Sequence, residues 1–247
     1  MKIALIGYGK MGKTLEKIAL KNGHQVVLRV DVNNSKYIDI GDLKGADVAI
    51  EFSRPDSAAE NIRKCFRAGV PVVCGTTGWL DDFDNIVADC KETGGSLFYS
   101  SNYSIGVNIF FEVNKKLAAL MNEQGQYDEM LIHESHHIEK IDCPSGTAIS
   151  LAQQMIENID RLKEWVNYKT DESVNLGEET EGELPIFSTR EDEIPGTHIV
   201  KYFSDVDEIE IIHKALSRHG FANGAMKAAE WIQGKKGVYS MKDLLNF

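Results

Sequence analysis

A short apolar strand that runs straight into a glycine turn opens this chain, and it constrains the fold more than anything that follows. Residues 2–6 are apolar apart from Lys2, and Gly7, Tyr8, Gly9, Lys10, Met11 and Gly12 come next. Met11, Leu15 and Ile18 then share one face of a helix. In the order strand, G-x-G-x-x-G, helix, the glycines permit a tight turn and a close approach of backbone to a pyrophosphate, which rests on the helix N-terminus. Alone, the six residues fit a glycine-rich turn of another α/β fold equally well. Context favours a dinucleotide. Gly23 ends the helix, residues 25–30 form a second strand, and Asp31 stands 19 residues after Gly12, where an acid hydrogen-bonds ribose hydroxyls. Its plainer role is that of a turn residue at a strand end.

Strands and helices keep alternating. Residues 46–52 read as a strand, then comes a helix carrying Ala59, Ile62 and Phe66 on one side, then strand 70–74, a helix from about Leu80, and strand 96–99. Such alternation implies a doubly wound parallel sheet of the Rossmann type, with ligands beyond the carboxyl ends of its strands. Those ends carry Ser53-Arg54-Pro55, Gly75-Thr76-Thr77-Gly78 and Ser100-Ser101-Asn102-Tyr103. Three small, hydrogen-bonding turns in register favour a nucleotide edge. Past Gly106 the pattern changes: a long helix aligns Phe110, Val113, Leu117, Leu120 and Met121, residues 170–183 are polar and acidic, and β-branched content rises from 187 to 214. The acidic run reads as a solvated loop. The β-branched segment reads as antiparallel strands of a second domain, and Phe221-Ala222-Asn223-Gly224 opens a last helix.

Charge and cysteine usage narrow the partners. A net charge of −11 and a pI near 5.1 disfavour nucleic acid, whose phosphates are held by clustered Lys and Arg. No apolar run approaches membrane-spanning length. Cys65, Cys74, Cys90 and Cys143 lack C-x-x-C spacing, and M-K-I-A-L-I-G reads as a strand rather than a charged leader, so a soluble cytoplasmic protein with reduced thiols is expected.

The densest chemistry lies in E-S-H-H-I-E-K-I-D-C-P-S-G-T, residues 134–147. His136 and His137 exchange protons near neutral pH, and Lys140 adds a point charge with three donors. Pro144, Ser145, Gly146 and Thr147 then open a helix whose Ala148, Leu151, Ala152, Met155, Ile156 and Ile159 share a stripe. Its first N–H groups form an anion site, so a carboxylate or phosphate held beside Lys140 is the natural reading. Residues 133–137 also satisfy H-E-x-x-H, the zinc-protease pattern, which requires a helix to bring its histidines about 6 Å apart. In a strand they stand about 13 Å apart, too far for one zinc, so no metal is expected. Nothing around Cys143 favours a nucleophile over an idle thiol.

With Gly7–Gly12, Gly75-Thr76-Thr77-Gly78, the H-H-x-x-K-x-D-x-P-S-G-T-A run and Phe221-Ala222-Asn223-Gly224-Ala225 in one order, the chain resembles the 4-hydroxy-tetrahydrodipicolinate reductase family, formerly dihydrodipicolinate reductase. The resemblance covers nearly the whole length. It implies a nucleotide domain of residues 1–106 and 217–247, and a second, α+β domain of residues 107–216 with an open mixed sheet, through which four subunits assemble. The implied reaction is the NAD(P)H-dependent reduction of a cyclic dicarboxylate imine, or of the diene formed from it by water loss, in lysine and diaminopimelate synthesis. His136 is then the acid/base group and Lys140 the proton donor, while His137, Ser145, Gly146 and Thr147 hold substrate carboxylates. Gly7, Tyr8, Gly9, Lys10, Met11, Gly12, Asp31, Gly75, Thr76, Thr77, Ser100, Ser101, Asn102 and Tyr103 meet the cofactor. The chain departs from the family pattern in several places: Lys10 replaces Arg before Met11, Glu51-Phe52-Ser53 replaces Asp-Phe-Thr/Ser, and Asp192 replaces the first glycine of R-x-G-x-x-x-G-x-H, which calls the turn after Arg190 into question. Val32, and no arginine, follows Asp31; an acid without that cation repels a 2′-phosphate, so NAD is expected over NADP, with Arg29 and Lys36 leaving NADP use open. A different oxidoreductase sharing the nucleotide half, and an NADH-binding redox sensor without turnover, are the rival readings.

Overall fold

Strand β1 (Lys2–Ile6) is buried along every residue but its first, with Ile3 and Leu5 turned to one side and Ala4 and Ile6 to the other. A strand apolar on both faces needs helices on both. The computed structural model describes residues 1–31, 33, 39–169, 181–217 and 219–247; Val32, Lys36 and the acidic run from 170 to 180 lie outside the described residues. After β1 come α1 (Lys10–Lys21), β2 (Gln25–Val30), α2 (Ile40–Leu43), β3 (Val48–Glu51), α3 (Pro55–Ala68), β4 (Val72–Cys74), α4 (Phe83–Thr93), β5 (Ser96–Tyr99) and α5 (Ile105–Asn122). The second half holds β6 (Glu129–His136), α6 (Gly146–Asn158), β7 (Glu164–Lys169), β8 (Glu183–Arg190), β9 (Thr197–Phe203), β10 (Glu208–Lys214), α7 (His219–Trp231), β11 (Gly237–Tyr239) and α8 (Met241–Leu245).

Two compact units result: residues 1–105 with 219–247, and residues 106–218. The first is a six-stranded parallel sheet in the order β11-β5-β4-β3-β1-β2. Leu15 and Ala19 of α1 pack with Ala222, Ala225, Met226 and Ala229 of α7 on the Ile3/Leu5 face. Ala58, Ile62, Cys65 and Phe66 of α3 join Ile86 and Cys90 of α4 on the other. Helix α3 starts on Pro55 and stops at Gly69, whose φ of 72° only glycine adopts without strain. The chain leaves β1 for β2 on one side and returns to β3 on the other, so the crevice between the ends of β1 and β3 is the switch point of this sheet.

The second unit is a mixed five-stranded sheet in the order β10-β9-β6-β8-β7. Strands β9 and β10 are antiparallel, as the sequence suggests, but β8 runs parallel to both β6 and β7, which corrects the expectation of antiparallel strands from residue 187 on. Helix α6 carries the chain from β6 back to a β7 of the same direction, and β8 enters between the two parallel to both. Met130 and Ile132 of β6, Leu184 and Ile186 of β8, and Val200 and Tyr202 of β9 pack under Leu151, Ala152 and Met155 of α6. No described helix is long and apolar enough to cross a membrane.

Candidate active site

In the first unit a cavity of about 710 Å³ opens at the switch point, lined by Gly7, Tyr8, Gly9, Asp31, Phe52 and Ser53 among others. Its glycines work by their missing side chains. A Cβ on Gly7, whose φ is 97°, would lie 2.0 Å from the Phe52 carbonyl oxygen, and one on Gly12 would lie 2.3 Å from the Gly7 oxygen. A Cβ on Gly9 would meet nothing within 4 Å, so that side of the turn is open for a ligand. Gly9 also starts α1 without a side-chain cap, leaving the N–H groups of the first turn for an anion. These residues fit a dinucleotide pyrophosphate. Lys10 is exposed on the same turn, Met11 is half-buried and Gly12 buried beneath it.

The neighbouring strand ends are bound into one frame. Thr76 Oγ1 accepts from the Ser53 N–H at 2.8 Å, and buried Glu51 accepts from Ser53 N–H at 3.2 Å, Asn61 Nδ2 at 3.4 Å and Cys74 Sγ at 3.2 Å. Burial, then the Glu51 charge, pushes the Cys74 thiol well up, so it stays protonated and donates. Gly75 lies against the Phe52 ring, and exposed Thr77 follows Thr76. The Ser100 hydroxyl donates to the Asn102 carbonyl at 2.7 Å, and Ser101 is exposed. Tyr103 goes into the core, its hydroxyl donating to the Cys74 carbonyl at 2.7 Å. Behind Tyr8, Arg29 donates from Nε to Glu16 Oε1 at 2.8 Å, and the Tyr8 hydroxyl donates to the second oxygen of Glu16.

In the second unit, chemistry and packing share one face of the sheet. Met130, Ile132, Glu134 and His136 alternate inward along β6, so an apolar row turns polar at its end. Register places Glu134 opposite Ser188 of β8 and His198 of β9, and His136 opposite Arg190. Glu134 is fully buried. One carboxylate oxygen is hydrogen-bonded to His136 Nδ1; the other accepts from Arg190 Nη1 at 3.0 Å and from the Ser145 N–H at 3.3 Å. Burial by itself would raise its pKa, but hydrogen bonds from His136 and Ser188, the His136 charge and the Arg190 bond outweigh it and hold the carboxyl at about 2. Glu134 is therefore an anion, and Nδ1 of His136 carries the proton between them. His136 Nε2 faces Gly196, where an added Cβ would stand 2.9 Å away.

Ser145 caps α6, its hydroxyl accepting from the Ala148 N–H at 3.1 Å and bonding His198 Nε2 at 2.9 Å. Burial, then the His136 charge, lowers His198 to about 3, so it is neutral. Gly146 and Thr147 occupy the first turn, whose N–H groups have no acceptor inside the helix. Arg190 shapes the loop before it, donating to the carbonyls of Asp142 at 2.8 Å and Lys140 at 3.4 Å, while Lys140 Nζ is held by both Asp142 oxygens at 2.8 and 2.7 Å. His137 instead lines a separate cavity of about 370 Å³ with Glu139, Asp192 and Glu193, an acidic wall unsuited to a dicarboxylate.

Glu134, Arg190 and His198 are the residues that the reading of single motifs missed. Glu134 is signalled by the polar pair two apart that continues an apolar strand row, and Arg190 and His198 by the R-x-G-x-x-x-G-x-H segment that they begin and end. Segment 133–137 is strand up to His136, so it lacks the helix that H-E-x-x-H chemistry needs. Donor atoms of Glu134, His136 and His198 do lie within 4.8 Å of one another, but Arg190 already gives the carboxylate a fixed cationic partner, which a metal would have to displace against its own charge. The turn after Arg190 forms without a glycine at 192, its left-handed residue being Glu193 at φ 64°.

Profiles of the dihydrodipicolinate reductase N-terminus and C-terminus match residues 1–103 and 106–245. A 4-hydroxy-tetrahydrodipicolinate reductase of Christiangramia forsetii is 47% identical over 247 residues, 100% of this chain and 98% of that one. Another, of Methanopyrus kandleri, is 37% identical over 204 residues, 82% of this chain and 72% of that one. The dipicolinate-bound dihydrodipicolinate reductase structure from Paenisporosarcina sp. TG-14 shares the fold at a TM-score of 0.75, with 20% identity over 97% of each chain.

Proposed function

The chain belongs to the dihydrodipicolinate reductase family, and from that premise we propose that it reduces 4-hydroxy-tetrahydrodipicolinate to tetrahydrodipicolinate with a nicotinamide dinucleotide, in lysine and diaminopimelate synthesis. The dinucleotide, held by the Gly7–Gly12 turn and Asp31, supplies the hydride when bound. The protein supplies the rest. His136, with Nδ1 committed to Glu134, exchanges protons at Nε2 as water leaves the ring. Lys140 gives the proton that completes the reduction, after trading an exposed partner, Asp142, for the substrate; such a pair costs little to open. The first-turn N–H groups of Gly146 and Thr147 receive the carboxylates. The observation that carries this reading is the hydrogen-bonded run from His136 through Glu134 to the Ser145 N–H, which joins an acid/base group to an anion-binding turn.

NADH is the preferred donor. The carboxylate of Asp31, in the cavity wall, would repel a 2′-phosphate, and Arg29, the cation two residues before it, is engaged by Glu16. The enzyme works in the cytoplasm as a homotetramer built on the sheet face opposite α6. There His133 stacks on Phe187 at 5.0 Å and Phe187 on Tyr168 at 5.6 Å, an aromatic surface that a second copy would cover.

The test is decay of nicotinamide absorbance with freshly made substrate, the aldol product of pyruvate and aspartate semialdehyde. Rapid decay, faster with NADH than NADPH and abolished in His136→Ala and Lys140→Ala with NADH affinity unchanged, is expected. No decay with either cofactor would overturn the assignment in favour of a dinucleotide sensor, and equal or better kinetics with NADPH would overturn the cofactor preference alone.

A further inference from the structure

Three features of Glu134 and one of its neighbour His136 converge. Glu134 is fully buried, it faces His136 from two positions away on the same strand, and its second oxygen is occupied by Arg190 at 3.0 Å and the Ser145 N–H at 3.3 Å. Finally, the space beyond the opposite ring nitrogen is kept clear by Gly196, where a Cβ would stand 2.9 Å from Nε2. A carboxylate pinned by two donors on one oxygen cannot turn away from the imidazole it holds with the other. We propose that Glu134 is the positioning residue of the site: it fixes the His136 tautomer that offers Nε2 to the substrate, and through the Ser145 N–H it locks that ring to the turn receiving the carboxylate.

The balance of protons supports this division. In each half-cycle Nε2 accepts or releases one proton, while Nδ1 keeps its own on Glu134, so the carboxylate neither gains nor loses a proton. The charged and titratable groups around the ring are Glu134 on its own strand, His198 on β9, Arg190 on β8 and Asp142 on the loop before α6, with Lys140 bound to Asp142. Arg190 is a fixed cation, so a neutral residue at 134 would leave the imidazolium beside it with only Asp142 to offset it. Loss of the Glu134 charge therefore lowers the proton affinity of His136.

The inference rests on the acid/base role proposed for His136, and two measurements separate its failure from that of the role. In Glu134→Gln, kcat should fall on the order of 100-fold, KM should stay within a factor of about three, and the His136 limb of the kcat profile should move down by about one pH unit or more. Glu134→Asp, which keeps the charge, should restore the limb toward its original position. A Glu134→Gln profile superimposable on that of the unaltered enzyme, or a lowered kcat with an unmoved limb, would overturn the proposal. Should Glu134→Gln not fold, ¹⁵N NMR of histidine-labelled unaltered enzyme, with His136 assigned from His136→Gln, still decides. A protonated Nδ1 and a pyridine-type Nε2 are expected; the reverse tautomer would sink the idea whether or not the enzyme turns over.

Discussion

Replacing Ser145 by alanine removes two hydrogen bonds that the structure makes through one oxygen. The first is the cap of α6, where the hydroxyl accepts from the Ala148 N–H at 3.1 Å. Loss of such a cap costs about 1 kcal/mol. The second is the bond to His198 Nε2 at 2.9 Å. His198 is 4% exposed and its Nδ1 has no hydrogen-bond partner among the described residues, so alanine at 145 would leave a buried ring with neither nitrogen satisfied. A buried polar group without its partner costs about 1–3 kcal/mol. The two effects together give roughly 2–4 kcal/mol. Urea unfolding followed by Trp165 fluorescence, with Trp79 and Trp231 replaced by Phe in all variants, reads this unit alone. Ser150→Ala on the same helix is the control: Ser150 is half-buried and its hydroxyl only supplements the helix by donating to the Gly146 carbonyl, so a change within about 0.5 kcal/mol is expected. A Ser145→Ala loss below about 1 kcal/mol would refute the claim that this hydroxyl serves both partners.

Four further outcomes follow from the contacts described above. Gly196→Ala places a Cβ 2.9 Å from His136 Nε2, at a φ of 148°, and should lower kcat roughly 10–100-fold by displacing the ring. Gly146→Ala, whose Cβ meets nothing within 4 Å, should leave stability unchanged or raised by up to about 1 kcal/mol, and circular dichroism melts check both. Glu16→Gln releases Arg29 beside Asp31 and should raise the NADPH:NADH ratio of kcat/KM about tenfold, a change worth one charge-assisted phosphate contact. Stability should fall with pH in two overlapping windows. Folded His198 is held at about 3 against an ordinary 6.5, so the unfolded chain binds the extra proton as pH drops below 6.5. Folded Glu134 is held at about 2 against 4.5, so stability present above 4.5 is lost toward 2, on the order of 3 kcal/mol from this carboxylate. Urea midpoints at pH 7, 5.5 and 4 check the sign, and midpoints that do not fall would contradict it.

What the sequence disclosed and what it withheld divide along a physical line. The first sheet was legible because parallel strands buried on both faces are short apolar runs, and because glycine at 7, 9 and 12 has few other uses between a strand and a helix. The mixed second sheet was foreshadowed, but the direction of β8 was not, since alternation carries no sign. Strand β11 is three half-buried residues with no period to detect. The run around His136 and Ser145 announced itself by local spacing. Its supporting groups did not: Glu134 meets Arg190 and His198 through strand register between segments more than fifty residues apart, which no local pattern encodes. Tyr103 stands at a strand end where a ligand residue would be sought, yet its ring fills the core under Gly224, whose Cβ would lie 1.7 Å from the Tyr103 carbonyl oxygen. The turn after Arg190 tolerates Asp192 because the left-handed position falls on Glu193.

The central claim is hydride transfer from the nicotinamide to the ring of a cyclic dicarboxylate. It is tested most directly by one turnover with NADH dideuterated at C4, which leaves either face free to react, and mass spectrometry of the product. One deuterium on carbon in each tetrahydrodipicolinate formed, absent in Lys140→Ala and His136→Ala, is the result expected. Unlabelled product alongside oxidised cofactor, or no oxidation at all, would contradict it.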